Sequence, residues 1–386
     1  MVTGTAKLVV DLGNSETRVK TFYGKTMKGN ARSRLCVMSN RYAQIPAHQV
    51  DGYVSEGVYS EEDSTIFTHN RTVYCNGRLC DIEFSQASFR PSAMEKKYDS
   101  LITKLELINA LHQGYIAVAD FANCGVESLD LEWELFLLLP PEDMDVGAAK
   151  IAELARSITE IDFQMPEMRK EIKISNVKVF PEGLCAFIGT VFKSKGAIRN
   201  GYSYLIENQE STLICDVGAG TTDFIMVKGA QVISTSKFTR EIGGNNVHRL
   251  VQRALRGRGI SLPDSLVAEG CEKGYVKSGS RQIDITKEIA QAKQTVSRQL
   301  VDAIQEFFES SMIPIRTIAN ILVVGGGAEN SPNEDIQPIS TYITEYIKKL
   351  SPDIQQVEIP SEVKDGITSR LSPRMLNITG AGILAE

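Results

Sequence analysis

One local pattern occurs twice in this chain and limits what it can fold into: a short apolar run, then Asp-x-Gly, then a second β-rich run. Residues 7–10 lead into Asp11-Leu12-Gly13 and residues 17–22, while residues 212–215 lead into Asp216-Val217-Gly218 and residues 222–227. The two aspartates stand 205 residues apart in a chain of 386, which predicts two related halves, each with a buried strand entering a tight turn. A third apolar run, residues 321–324, ends in Gly325-Gly326-Gly327. Helical patterns fill the intervals. Tyr98, Leu101, Ile102, Leu105, Ile108 and Leu111 share one face, as do Ile151, Leu154, Ala155 and Ile158. Asn245 is placed to cap a helix carrying Val247, Leu250, Val251 and Ala254. A long helix is predicted over 286–310 and a last one from Pro338, stopping before Pro352. Over residues 36–90 the pattern changes to hairpins, and Asn76-Gly77, between residues 71–75 and 78–84, predicts a type I′ turn. Alternating strands and helices place the chain in the α/β class.

Composition removes several function classes. The net charge is 42 − 48 = −6, which disfavours a generic nucleic-acid coat, and Arg249, Arg253, Arg256 and Arg258 read as a solvated helix end, with contact to DNA or to the acidic face of a neighbouring subunit as the alternative. The longest apolar stretch, residues 135–139, runs into Pro140-Pro141, far short of a membrane span. The first residues enter a strand at once, without the progression of a signal peptide, so a cytoplasmic protein is expected. Seven cysteines are scattered, and Cys75 and Cys80 lack CxxC spacing, so reduced thiols are expected. His48, His69, His112 and His248 fall in no metal-binding pattern.

An aspartate at a strand end, followed by glycine, sets a carboxylate beside exposed backbone N–H groups. That combination suits a phosphate with its hydrated Mg²⁺, which needs only one or two carboxylates. The same pair also builds ordinary hairpin turns. The longer run from Asp216 through Gly218, Gly220, Thr221 and Thr222 to Asp223 favours phosphate binding. Three glycines at 325–327 let the backbone approach a flat or anionic ligand. No GxxxxGK[ST] or GxGxxG run accompanies these turns.

Asp11 to Ser15, Asp216 to Asp223 and Ile321 to Glu329 together resemble the phosphate-1, phosphate-2 and adenosine motifs of the actin superfamily of ATPases. Val179-Phe180-Pro181-Glu182 is similar to the first connecting motif, and Asn377-Ile378-Thr379-Gly380-Ala381-Gly382 to the second. Pro181-Glu182 and the Gly-Gly-Gly-Ala-Glu run look most like the ParM-type bacterial plasmid-segregation actins. The resemblance implies an actin-like fold of two lobes, each built on a five-stranded mixed sheet with flanking helices, with nucleotide between them. Lobe I is expected over 1–181 with a β-rich insert at about 36–92. Lobe II is expected over 182–370 with a smaller helical insert at about 242–285, and 371–386 as a segment returning to lobe I.

The same resemblance implies an ATPase that assembles into filaments of itself and moves plasmid or phage DNA through a DNA-binding adaptor. Neither direct DNA binding nor direct membrane binding is implied. Asp11 and Asp216 would hold hydrated Mg²⁺; Gly13, Asn14, Ser15, Gly218, Gly220 and Thr221 would surround the phosphates of ATP or GTP. Glu182 would orient the attacking water. Gly325, Gly326 and Gly327 would lie against ribose and α-phosphate, with Glu269 and Lys273 reaching ribose or base. Asn14 stands where serine or threonine is usual and Arg18 where lysine is usual, so the Arg18 contact with phosphate is bidentate, displaced or absent. Competing readings are a monomeric nucleotide switch of the chaperone or reactivase type, and a sugar kinase of the same fold.

Overall fold

A computed structural model describes residues 1–25, 31–55, 59–60, 63–91, 95–194, 196–199, 201–209, 211–328, 335–350, 356–358 and 372–386. Glu329 and Pro352 lie outside the described residues. The chain divides into two compact units, the first formed by Met1–Leu139, Asp143–Pro181 and Leu384–Glu386, the second by Pro140–Glu142 and Glu182–Ile383.

In the first unit, β1 (Val2–Leu12) pairs antiparallel with β2 (Glu16–Lys25), which pairs with β3 (Ala31–Ser39). Three further strands, β4 (Tyr42–Ile45), β5 (Ser64–His69) and β6 (Thr72–Gly77), stand beside short helices α1 (Val50–Ser55) and α2 (Arg78–Glu83). Helix α3 (Leu101–Ala122) starts on a cap in which Ser100 Oγ accepts from the Ile102 N–H at 3.2 Å. It is buried around most of its circumference against β1 and β2, and Trp133 is fully buried with its ring edge-on to Tyr115 at 5.2 Å. Then follow β7 (Leu129–Leu139), α4 (Met144–Arg156), β8 (Glu160–Met165), β9 (Glu167–Glu171) and β10 (Lys173–Pro181). The main sheet has the order β10-β7-β1-β2-β3, with β1, β7 and β10 parallel.

A second five-stranded sheet, β4-β6-β5-β8-β9, corrects the extent of the β-rich insert. Strand β3 belongs to the main sheet, and β8 and β9, far along the sequence, complete the insert. The Asn-Gly turn is also displaced. The hairpin β5–β6 turns at Asn70 and Arg71, both with positive φ (49° and 64°), while Gly77 (φ 80°) ends β6 and leads into helix α2. A Cβ on Gly77 would lie 2.1 Å from the Asp63 carbonyl oxygen, so this glycine serves close backbone approach. Asn76 is buried, donating through Nδ2 to the carbonyls of Ser39 and Arg41, each at 2.7 Å.

The second unit contains α5 (Leu184–Val191), β11 (Phe192–Ser194), β12 (Ala197–Ile198), α6 (Ser203–Glu207), β13 (Ser211–Val217), β14 (Thr222–Lys228) and β15 (Gln231–Arg240). After these come α7 (Gly244–Gly257), α8 (Asp264–Lys273), β16 (Tyr275–Ser278), β17 (Arg281–Asp284), α9 (Thr286–Ser311), β18 (Asn320–Val324), α10 (Ile339–Leu350) and β19 (Gln356–Glu358). Helix α11 (Leu376–Ala385) comes last. Its main sheet, β19-β18-β13-β14-β15, repeats the first: β13 pairs antiparallel with β14 and parallel with β18, as β1 does with β2 and β7. Both sheets are mixed and five-stranded with flanking helices, as expected.

Helix α9 buries the apolar stripe expected of it, Ile289, Val296, Leu300, Ile304, Phe307 and Phe308. Phe307 packs 6.3 Å from Phe224 and 6.1 Å from Phe238, joining the helix to β14 and β15. Three boundaries differ from expectation. Helix α7 is capped at Gly243, whose N–H donates to Asn246 Oδ1 at 3.0 Å, and not at Asn245. Helix α10 begins one residue after Pro338. Of the C-terminal segment, only Leu384–Glu386 joins the first unit. All seven cysteines are free thiols, and among the described residues no helix is long and apolar enough to cross a membrane.

Candidate functional site

The repeated sheets place Asp11 and Asp216 at equivalent strand ends. Each carboxylate sits near a turn closed by the same bond: the Gly13 N–H donates to the Glu16 carbonyl at 3.1 Å, and the Gly218 N–H to the Thr221 carbonyl at 2.8 Å. A Cβ on Gly13 would lie 2.6 Å from the Glu16 oxygen, so the turn requires glycine there. Both aspartates are nearly buried, at 4% and 5% exposed.

In the first unit, Asn40 holds the turn by donating from Nδ2 to the Gly13 carbonyl and from its N–H to the Ser15 carbonyl at 3.4 Å. Asn14 is half-buried and Ser15 exposed. Arg18, opposite Asp11 in the β1–β2 register, turns inward: Nη1 donates to Asp11 Oδ2 at 3.2 Å and Nη2 to Glu16 Oε2 at 3.3 Å. Its planar fork is thus held by two carboxylates. The equivalent position in the second hairpin, opposite Asp216, is Asp223, which accepts from Thr239 Oγ1 at 2.5 Å.

Sequence reasoning missed Glu106. It lies on α3 at 1% exposure and accepts from Thr17 Oγ1 at 3.1 Å, bracing the start of β2. Burial pushes its carboxyl up to about 8; the Thr17 bond opposes the shift and the Asp11 charge adds to it. The only signal in the sequence is a charge beside the apolar positions of a helix buried nearly all round. As pH rises from the ordinary value of 4.5 to about 8, the unfolded chain releases this proton first and native stability falls. The decline amounts to about 1.4 kcal/mol per pH unit across that window. Glu106→Gln is expected to flatten it, measured by denaturant melts from acid to neutral pH. An identical slope in both proteins would remove Glu106 as its source.

In the second unit, several segments converge on Asp216. The N-terminus of α7 holds the turn after β13: the Gly244 N–H donates to the Gly218 carbonyl at 3.0 Å and the Asn245 N–H to the Ala219 carbonyl at 2.8 Å. A Cβ on Gly243 would lie 2.7 Å from both of those carbonyl oxygens. Gly325, after β18, has φ +85°, and a Cβ there would lie 2.5 Å from Asp216 Oδ1. A Cβ on Gly327 would meet Val217 Cγ1 at 2.6 Å. Such crowding is the physical reason for glycine at these positions.

Two further residues emerge here. The Gly325 N–H donates to the Pro373 carbonyl at 3.1 Å, and Arg374 Nε lies 3.6 Å from where a Gly326 Cβ would be. Asn377, at the start of α11, donates from Nδ2 to Asp216 Oδ2 at 2.5 Å and accepts at Oδ1 from the Gly183 N–H at 3.1 Å. Gly183 follows Glu182, which is 8% exposed at the junction of β10 and α5. The structure therefore gathers Gly218, Gly325, Gly327 and the Glu182–Gly183 turn around Asp216. Gly220 and Thr221 complete the turn between β13 and β14. Glu269 and Lys273 stand apart on α8, half-exposed and ion-paired with each other.

Over its whole length the chain superposes on known structures. Actin-like protein Alp7A matches with a TM-score of 0.69 at 13% identity, covering 100% of this chain and 96% of that one. An archaeal actin homolog matches at 0.67 and 13% identity, covering 99% of each chain. The fold is that of the actin homologues. Bacillus thuringiensis ParM with ATP shares this actin-like fold at a TM-score of 0.61 and 14% identity, covering 99% of this chain and 98% of that one. Residues 214–334, which carry the Asp216 turn and the glycine triplet, match the family described as archaeal actin homologue MreB-like, C-terminal. A search of curated proteins by sequence found no match.

Proposed function

We propose that this actin-like chain is a nucleoside triphosphatase that binds Mg-ATP or Mg-GTP through its two Asp-x-Gly turns and polymerises with copies of itself. The observation that carries the reading is the pair of equivalent turns, each with a nearly buried carboxylate and a glycine closing the turn by the same backbone bond; a Cβ would clash at Gly13 and fit only tightly, at 3.1 Å from the Thr221 carbonyl oxygen, at Gly218. Such turns fit phosphate and a hard cation, since the carboxylates accept and the glycines leave the backbone approachable. Asp11 and Asp216 would hold Mg²⁺ through water. The bound ion would supply charge neutralisation for the phosphate oxygens.

The remaining chemistry belongs to the chain. Gly13, Asn14, Ser15, Gly218, Gly220 and Thr221 would cradle the phosphates, and Gly325, Gly326 and Gly327 would admit the ribose side. Arg374, beside Gly326, brings a cation to the same place. Glu182 would accept a hydrogen bond from water and fix its direction of approach, which is catalysis by positioning. Glu269 and Lys273 reach the nucleotide only if their ion pair opens. In the first unit Arg18 is engaged by Asp11 and Glu16, so its transfer to phosphate requires exchange of carboxylate for phosphate oxygens.

Filament formation and DNA segregation through an adaptor are the finer parts of this reading. Filament formation draws support from similarity to a 15-stranded ParM filament from Clostridium botulinum at 17% identity and a TM-score of 0.65; DNA segregation through an adaptor rests on the resemblance of the sequence motifs alone. The test is light scattering on adding Mg-ATP or Mg-GTP to purified protein, with phosphate release followed in parallel and the endpoint viewed by electron microscopy. Scattering that rises with filaments and decays as nucleotide is consumed is the expected result. Turnover without assembly would favour the monomeric switch or kinase reading.

A further inference from the structure

We infer that Asn377 is a positioning residue that ties the Glu182–Gly183 turn to the Asp216 carboxylate, so that the two acidic groups are set by one side chain. The inference rests on the nucleotide-hydrolysing reading above for its consequence, and on geometry alone for the tie. Asn377 is distant in sequence from both partners, 194 residues from Gly183 and 161 from Asp216. Its amide orientation is fixed by chemistry: a carboxylate oxygen accepts and a backbone N–H donates, so Nδ2 faces Asp216 and Oδ1 faces Gly183.

Each end of the tie meets a group with little freedom of its own. Gly183 has φ +75°, and a Cβ there would lie 2.6 Å from Ile225 Cγ2, so the turn carrying Glu182 is pressed against β14. On the other side, the bond to Oδ2 fixes the rotation of the Asp216 carboxylate, which leaves Oδ1 toward Gly325. Oδ1 is the oxygen that faces the glycine turn, while Oδ2 is occupied by Asn377. A side chain that only filled space would need neither donor nor acceptor. Here both are used, on two segments that carry the candidate catalytic and ion-holding groups.

Two substitutions separate the bonds. Asn377→Ala removes both, whereas the isosteric Asn377→Asp keeps an acceptor for the Gly183 N–H and replaces the donor to Asp216 by a second carboxylate oxygen. Hydrogen exchange of the Gly183 amide in nucleotide-free protein is expected to accelerate about tenfold or more in Asn377→Ala and to stay near wild type in Asn377→Asp. Steady-state turnover is expected to fall on the order of 10- to 100-fold in both, with KM for Mg-nucleotide within about threefold in Asn377→Ala, where the loss is one of alignment. Wild-type exchange at Gly183 in Asn377→Ala, or wild-type kcat in either variant, would overturn the inference. If the wild-type protein turns over no nucleotide, the hydrolytic reading fails and the exchange measurement still decides the tie. Thermal melts identify a variant that has unfolded; the isosteric variant then carries the test through kcat.

Discussion

Glu182→Ala is expected to slow phosphate release about 100-fold or more while leaving nucleotide affinity and assembly close to wild type, the usual cost of losing a group that positions the nucleophile. Glu182 is nearly buried at a strand–helix junction whose next residue is held by Asn377 and packed on Ile225. Its carboxylate therefore starts from a fixed backbone, and shortening the side chain removes the oxygen without moving the turn. Filaments of the variant should persist after the wild-type protein has disassembled. Single-turnover phosphate release, with scattering recorded on the same sample, checks both parts. Hydrolysis at the wild-type rate would remove Glu182 from the mechanism.

Asp216→Ala is expected to weaken Mg-nucleotide binding about 10- to 100-fold, the range for losing one interaction with a charged group. The effect should shrink when calorimetry is repeated without Mg²⁺, because the role proposed for the carboxylate is exerted through the ion. Asp11→Ala should do less. The Asp11 carboxylate already accepts from Arg18, and removing it releases Nη1 of a guanidinium that Glu16 still holds through Nη2, so that one arm of the fork can meet phosphate. Across the β13–β14 register Asp216 faces Asp223, where the first hairpin sets Arg18 opposite Asp11. Equal affinities for wild type and Asp216→Ala, with Mg²⁺ present, would refute the ion-holding role.

The parts of this structure that could be read in the sequence are those where one local rule dominates. Strand, Asp-x-Gly, strand is one such case, since a buried β run and an obligatory glycine leave one geometry. Helix α9 is another, because its apolar residues recur at helical spacing over 26 residues. Asn76-Gly77 was misleading for the opposite reason. The pair has the composition of a hairpin turn, yet Asn76 is buried with its amide bonded to Ser39 and Arg41, and Gly77 is needed to pass Asp63. The hairpin turned instead at Asn70 and Arg71, and arginine carries no turn signal. Tertiary contacts overrode local preference. Glu106 and Arg374 were illegible for a related reason: their meaning lies in what they face, Thr17 in one case and the Gly326 backbone in the other. Asn377 stood inside a recognised motif, but its two bonds join segments that no spacing rule brings together.

The composition of the first unit bears on the order in which the chain can fold. Among the described residues, the ten strands of that unit lie within the first 181 residues, so both of its sheets can form while the second unit is still being made. The contacts made by Leu384–Glu386 must wait. Lys7 Nζ donates to the carbonyl of Ala385, 378 residues downstream, and Leu384–Glu386 is the piece that completes the unit. Until that piece arrives, an ammonium on a central strand keeps its water. The first unit can therefore exist during synthesis as a nearly finished body that Leu384–Glu386 completes once residues 182–383 have been made.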